Sequence, residues 1–288
     1  MKRTFCLGIA LLAVGFTGCR RLNSWQKTTL MYFDTVCEVQ LYCSGPIFAE
    51  AREAIERIFE ETTRLFSPGS REFSDPFALE LFEQALEISL HSQGCFDLSV
   101  GALSELWGFH DGENRVPSEE EIRAALQHVG MGKIRLLPNR LEVPPDIRLD
   151  WGAIAKGAGV DRAARALIEL GVARGFINAG GDLFCWGTNP RGQSWQIGVK
   201  HPRSEAYLGV LALSGLGAAT TGDYQRFFIQ DGRRFHHVFD PRTGRPARGK
   251  QSVTVVGPDT GLCDALSTAL FVSGSPEEIL QHYPCLLY

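Results

Sequence analysis

Residues 261–274 read GLCDALSTALFVSG, a run apolar enough round its whole circumference to read as a buried helix. Such a helix has to be covered, and the sequence ahead of it supplies the cover. Short strand-like runs recur at 175–178, 183–186, 195–200, 207–213, 226–230, 235–239 and 251–257, separated by turn residues. That spacing predicts mostly antiparallel pairing. The fold class is therefore α+β, with mostly antiparallel sheets and flanking helices. There is no internal repeat and no low-complexity linker, so any two lobes are interleaved.

The rest of the chain supplies the flanking elements. Ile47, Ala51, Ile55, Ile58, Thr62 and Leu65 recur at helical spacing and predict an amphipathic helix over 47–65. Asp75 followed by Pro76 opens a second helix that runs to about Gln93 and stops at Gly94. Ser118 and Glu121 form a capping-box pattern for a short third helix. Residues 155–170, closed by Gly171, form another, and a last short helix starts at Pro276. Strands are expected at 30–42, 133–143 and 148–151.

The first residues form a leader. Lys2 and Arg3 precede an apolar stretch over 5–16, then Thr17, Gly18 and Cys19. This predicts export, with residues 1–18 as a lipoprotein signal peptide, Cys19 as the lipidated first residue and 19–29 as a polar tether. Plain secretion with cleavage near Gly18 is the alternative. About 270 residues then remain for the main domain, 30–288. A net charge of −4 and no basic cluster beyond short pairs argue against nucleic acid as a partner. Cys37, Cys43, Cys95, Cys185, Cys263 and Cys285 lack metal-ligand spacing, and no spacing identifies a disulfide pair.

Polar residues are concentrated in four segments. In the 261–274 run, Asp264 and Thr268 stand four apart on one helical face, where their oxygens can converge on a hard cation such as Mg2+. The alternative is that Asp264 caps the helix and Thr268 bonds back to a carbonyl. LDWGAIAKGAGVD, 149–161, fails the P-loop pattern, but its glycine-rich turn opens a helix and offers N–H groups and Lys156 to an anion. A tight turn with a solvated lysine is the alternative. Gly180, Gly181 and Asp182 read as a bulge or turn. His236 and His237 are adjacent in a strand, so only one can face a site.

Taken in order, FDTVCEVQLY, GCFDLSVGALSELWGF, LDWGAIAKGAGVDRAA, INAGGD, TTGDYQRFF, HVFDPRTGRP and CDALSTALFVSG resemble the motifs of the ApbE-type FAD:protein FMN transferases. The resemblance covers residues 30 to about 280. It implies an ApbE-like, T-fold-like arrangement and Mg2+ held by Asp264, Thr268 and the Ala153 carbonyl, with Ser267 as a further candidate. It implies FAD contacts at Phe33, Phe66, Cys95, Phe96, Asp97, Asp150, Lys156, Val238 and Asp240. His237 aligns with the family's single histidine and is the candidate for assisting proton transfer, with Asp264 as the other catalytic candidate. The family's segment after the first helix survives only as SREFSDP, 70–76.

The reaction so implied is Mg2+-dependent transfer of FMN from FAD to a threonine of an acceptor protein, with release of AMP. FAD is then a substrate, and the protein is an exported lipoprotein attached to a bacterial membrane through Cys19, facing the periplasm or cell exterior. The alternatives are an FAD pyrophosphatase and a non-catalytic exported FAD-binding lipoprotein.

Overall fold

The computed structural model describes residues 22–67, 73–109 and 112–287. The leader with Cys19, and residues 70–72 of SREFSDP, lie outside them. The described chain opens with β1 (Ser24–Tyr32), β2 (Thr35–Cys43), α1 (Gly45–Leu65), α2 (Pro76–His91), α3 (Gly101–Leu106), α4 (Glu119–Leu126), β3 (Arg135–Leu137) and β4 (Arg140–Glu142). After α5 (Ala155–Glu169) come β5 (Gly175–Ala179), β6 (Asp182–Trp186), β7 (Trp195–Lys200), β8 (Tyr207–Leu213) and β9 (Leu216–Gly222). The short strands β10 (Phe227–Gln230), β11 (Arg233–His236), β12 (Phe239–Asp240) and β13 (Arg245–Pro246) precede β14 (Ser252–Gly257). The chain closes with α6 (Thr260–Val272), α7 (Pro276–Leu280) and β15 (Leu286–Leu287).

Seven strands form one sheet in the order β1-β2-β5-β6-β9-β14-β15, every neighbouring pair antiparallel. The period of two sorts the side chains cleanly. Ile177, Ala219 and Val255 face the helices, while Phe176, Ala218 and Val256 pack on the other side with Trp195 and Leu213 of the β7–β8 hairpin. The helical side holds two apolar cores. One gathers α1 and the N-terminal half of the sheet, the other gathers α2, α6 and β14, and α5 contributes to both. These cores are the interleaved lobes.

Several expectations are corrected. The strand expected over 30–42 is a hairpin that begins at Ser24, so much of the expected tether is β1. Its two-residue turn is made by Phe33 and Asp34, both with positive φ (54° and 56°), a conformation that glycine or asparagine usually supplies. Around 148–151 there is only one parallel bridge, Val100 to Arg148, and 133–143 is a tight hairpin. The run 235–239 divides between β11 and β12. Strand β9 was not expected, because LGAATTG is too small and glycine-rich to read as a strand. It is a central strand because α6 lies directly on it: a Cβ on Gly217 would come within 2.7 Å of the Thr260 nitrogen. The capping box at Ser118 and Glu121 is present, and Asp75 accepts from the Phe77 N–H.

Helices α5 and α6 touch backbone to backbone. A Cβ on Gly157 would lie 2.5 Å from the Thr260 carbonyl oxygen, and one on Gly261 would lie 3.1 Å from the Ala158 backbone. Asp161 of α5 accepts from the N–H groups of Thr260 (2.9 Å) and Gly261 (2.8 Å), so α6 is capped by its neighbour. Burial raises the Asp161 carboxyl to about 6, with those two N–H bonds pulling the other way. Gly157→Ala should therefore destabilise the protein by about 1–3 kcal/mol, read as a lowered unfolding midpoint. Gly45→Ala, where a Cβ meets nothing within 4 Å, should be close to neutral in the same assay.

Candidate active site

The crossing of α5 and α6 brings together residues 108 positions apart. Lys156, in the first turn of α5, reaches Asp264 Oδ2 at 3.3 Å and forms a short ion pair with Asp182, which opens β6. Gly157 N–H also points at Asp264 Oδ2, at 3.3 Å. Both aspartates are buried, at 2 % and 4 % exposure. Burial alone would lower the Lys156 pKa, but the two carboxylates outweigh it and raise it. Burial, then the neighbouring Asp182 charge, pushes Asp264 well above the ordinary carboxylate range. With one ammonium between two buried carboxyl groups, Asp264 holds on to a proton, and a cation that takes that proton's place would be welcome.

The oxygens around this cluster are hard donors. Thr268, one turn beyond Asp264, is half-buried and lies 3.1 Å from Thr221 Oγ1 of β9. Among the described residues no backbone N–H donates to the Ala153 carbonyl, which lies in the turn before α5. No three His, Cys, Asp or Glu side chains among the described residues form a metal cluster. A cation here would therefore draw on Asp264 together with hydroxyl and carbonyl oxygens, a set that fits Mg2+ and not a soft metal. Ser267 spends its hydroxyl elsewhere: it donates to the Asp264 carbonyl (2.9 Å) and meets Thr221 Oγ1 at 2.6 Å.

Asp264 does not cap α6, since it lies in the helix body and Asp161 takes the terminal N–H groups. Lys156 is not a free solvated lysine. Gly180 and Gly181 do form the expected turn between β5 and β6, but its consequence was missed, because Asp182 is the strongest partner of Lys156. Thr221 and Asp161 were missed as well. The only signal for Asp182 and Asp161 was that each is a carboxylate in an otherwise apolar or glycine-rich run.

The two histidines do have different partners, but not by strand alternation as expected, because β11 ends at His236 and His237 lies in the bend before β12. His236 is buried, with Nε2 2.9 Å from the Ala247 carbonyl. His237 is half-buried, with Nδ1 3.2 Å from the Arg226 carbonyl. A carbonyl only accepts, so Nδ1 carries the proton and Nε2 keeps a lone pair. Burial pushes the His237 pKa down to about 4, and the positive charges of Arg226 and Lys156 add to that, so the ring is neutral at pH 7.

The other candidates are held by contacts of their own. The Phe33 ring leans on Gly159, one turn along α5 from Lys156, and packs against Phe59. Phe66 ends α1 against Trp151, with ring centres 4.6 Å apart. Phe96 is 1 % exposed, and its side chain belongs to the core with Val238 and Cys95. Asp97 is occupied by Ser99 and by the Met131 N–H. Asp150 accepts from Gly152 N–H, and Asp240 holds Arg242 through both oxygens.

Comparison with known proteins agrees with this arrangement. The chain is 33 % identical over 232 residues to FAD:protein FMN transferase of Haemophilus influenzae, covering 77 % of this chain and 66 % of that protein. It is 31 % identical over 272 residues to the protein of the same name from Rhodobacter capsulatus, covering 86 % and 51 %. The chain thus spans about half to two thirds of the length of these relatives. The crystal structure of the Thermotoga maritima ApbE protein superposes with a TM-score of 0.82 at 32 % identity, covering 92 % of this chain and 94 % of that one. The apo flavinyl transferase ApbE of Pseudomonas stutzeri gives 0.80 at 29 %, covering 92 % and 91 %. Residues 33–284 match the ApbE family, and the chain belongs to it.

Proposed function

We propose that this protein transfers the FMN part of FAD to a threonine hydroxyl of an acceptor protein, releasing AMP, in an Mg2+-dependent reaction. We further propose that it acts as an exported protein held to a membrane through lipidated Cys19. The observation that carries the reading is the pair of buried carboxyl groups at the α5–α6 crossing, where among the described residues Lys156 is the one cation paired with both Asp182 and Asp264. Asp264, Thr268 and the Ala153 carbonyl would hold the metal. Bound there, Mg2+ would draw charge from the pyrophosphate oxygens of FAD as the bond between the phosphates breaks.

The chain's own groups do the rest. The acceptor hydroxyl attacks the FMN-side phosphorus, its oxygen forms the new ester, and the bond to the AMP phosphate breaks. His237 can take the hydroxyl proton on Nε2, because its other nitrogen is fixed on the Arg226 carbonyl and the ring is neutral. Lys156 holds the two aspartates in register and keeps their charge from repelling a pyrophosphate. The test is to incubate the protein with FAD, Mg2+ and a candidate acceptor, then look for in-gel flavin fluorescence and AMP. Release of AMP and FMN with no labelled acceptor would favour hydrolysis, and no AMP at all would leave only binding.

Asp264→Asn keeps the shape of the side chain but removes its charge. It should bind FAD with little change while AMP release falls by about two to three orders of magnitude, measured by fluorescence quenching and product chromatography. AMP release at the unsubstituted rate would remove Asp264 from the mechanism.

The same burial that keeps His237 neutral makes stability depend on pH. In the unfolded chain this ring takes up its proton near pH 6.5, in the folded one only near 4, so the folded state binds fewer protons in between. Stability should therefore fall as pH drops through that window. Allowing for solvent screening of a half-buried ring, the unsubstituted protein should lose on the order of 1–2 kcal/mol more than His237→Asn between about pH 7 and about pH 4.5. Denaturant titrations at both pH values check it.

A further inference from the structure

The six cysteines of the described chain are unbonded, and two of them meet. Gly257, the last residue of β14, has no side chain, and sulfur fills the space a Cβ would take. The Sγ of Cys285 lies 2.5 Å and that of Cys263 3.1 Å from that position, so the two sulfurs are at most about 5.6 Å apart. Cys263 donates to the Gly217 carbonyl at 3.7 Å, as Cys37 does to that of Tyr32 and Cys185 to that of Leu216.

The pair joins two parts of the molecule. Cys263 is buried in the first turns of α6, one residue before Asp264, while Cys285 is half-buried on the segment that leads into β15. Among the described residues β15 pairs with β14 at Val255–Leu287 and Val256–Leu286.

We propose that Cys263 and Cys285 form a disulfide by exchange with an external disulfide, fastening the C-terminal strand to the helix that carries Asp264. Cys285 is reached first, being the more exposed. Its thiolate attacks one sulfur of the external disulfide, the first external thiol leaves, and a mixed disulfide remains. Cys263 then gives up its proton and attacks the Cys285 sulfur, displacing the second external thiol. One disulfide is reduced to two thiols as the protein's two thiols are oxidised. An exported chain meets such disulfides.

The test uses the full chain, treated with oxidised glutathione or with a phosphine reductant, alkylated, and mapped by mass spectrometry without reduction. A linked peptide containing Cys263 and Cys285 should appear only after oxidation. The oxidised protein should melt roughly 5–10 °C above the reduced one. Cys285→Ser, at a half-exposed position, should abolish both the link and the shift, whereas Cys43→Ser should keep both. A glutathione adduct that stays on Cys285, or no linked peptide under native conditions, would overturn the proposal.

Discussion

The backbone contact between α5 and α6 is the constraint on which the site depends. Gly157 and Gly261 leave no side chain between the helices, and Asp161 reaches across to close the N-terminus of α6. A carboxylate at that end of a helix meets both unpaired N–H groups and the positive end of the helix dipole. The crossing therefore has little freedom to slide. Because Lys156 is one residue before Gly157, and Asp264 three after Gly261, fixing the contact fixes the ion cluster.

That cluster is costly in the absence of a ligand. Removing two carboxylates from water beside a single ammonium carries a desolvation penalty that ion pairing repays only in part. Apolar residues of similar volume would hold the helices together as well. Retaining Lys156, Asp182 and Asp264 at this point makes sense for a site that meets a cation and a charged substrate. The neighbouring groups are consistent with that: Thr268 follows Asp264 by one helical turn, Ala153 precedes Lys156 by three residues, and the Lys156 charge acts on the neutral ring of His237.

Much of this was legible before the fold was known, wherever the signal is local. Ser118 and Glu121 cap a helix because the two residues answer each other within one turn. That His236 and His237 would have different surroundings was legible, although His237 stands in the bend after β11 and not in the strand. Asp264 and Thr268 stood out because polar oxygens four apart in an apolar helix are unusual. What could not be read depended on contacts distant in sequence. Strand β9 has the composition of a loop and becomes a central strand because small residues let α6 lie close. Phe33 and Asp34 turn the first hairpin without the usual glycine, in a conformation that packing of the Phe33 ring on α5 helps to hold.

By itself the sequence determined the class of the fold, every α-helix of the described residues but α3, most of the strands, the family, and the segments that carry the polar oxygens. Periodicity and capping act over a few residues, and each motif brings its own side chains with it. Only the tertiary structure decided that Lys156 answers Asp182 and Asp264, that Asp161 and not Asp264 caps α6, and that Cys263 meets Cys285 over Gly257. These partners come from α5, β6, α6 and the C-terminal segment, and no local pattern encodes their distances. The first two are set by how closely two helices can approach where glycine has removed the side chains between them, the third by the side chain that Gly257 of β14 lacks.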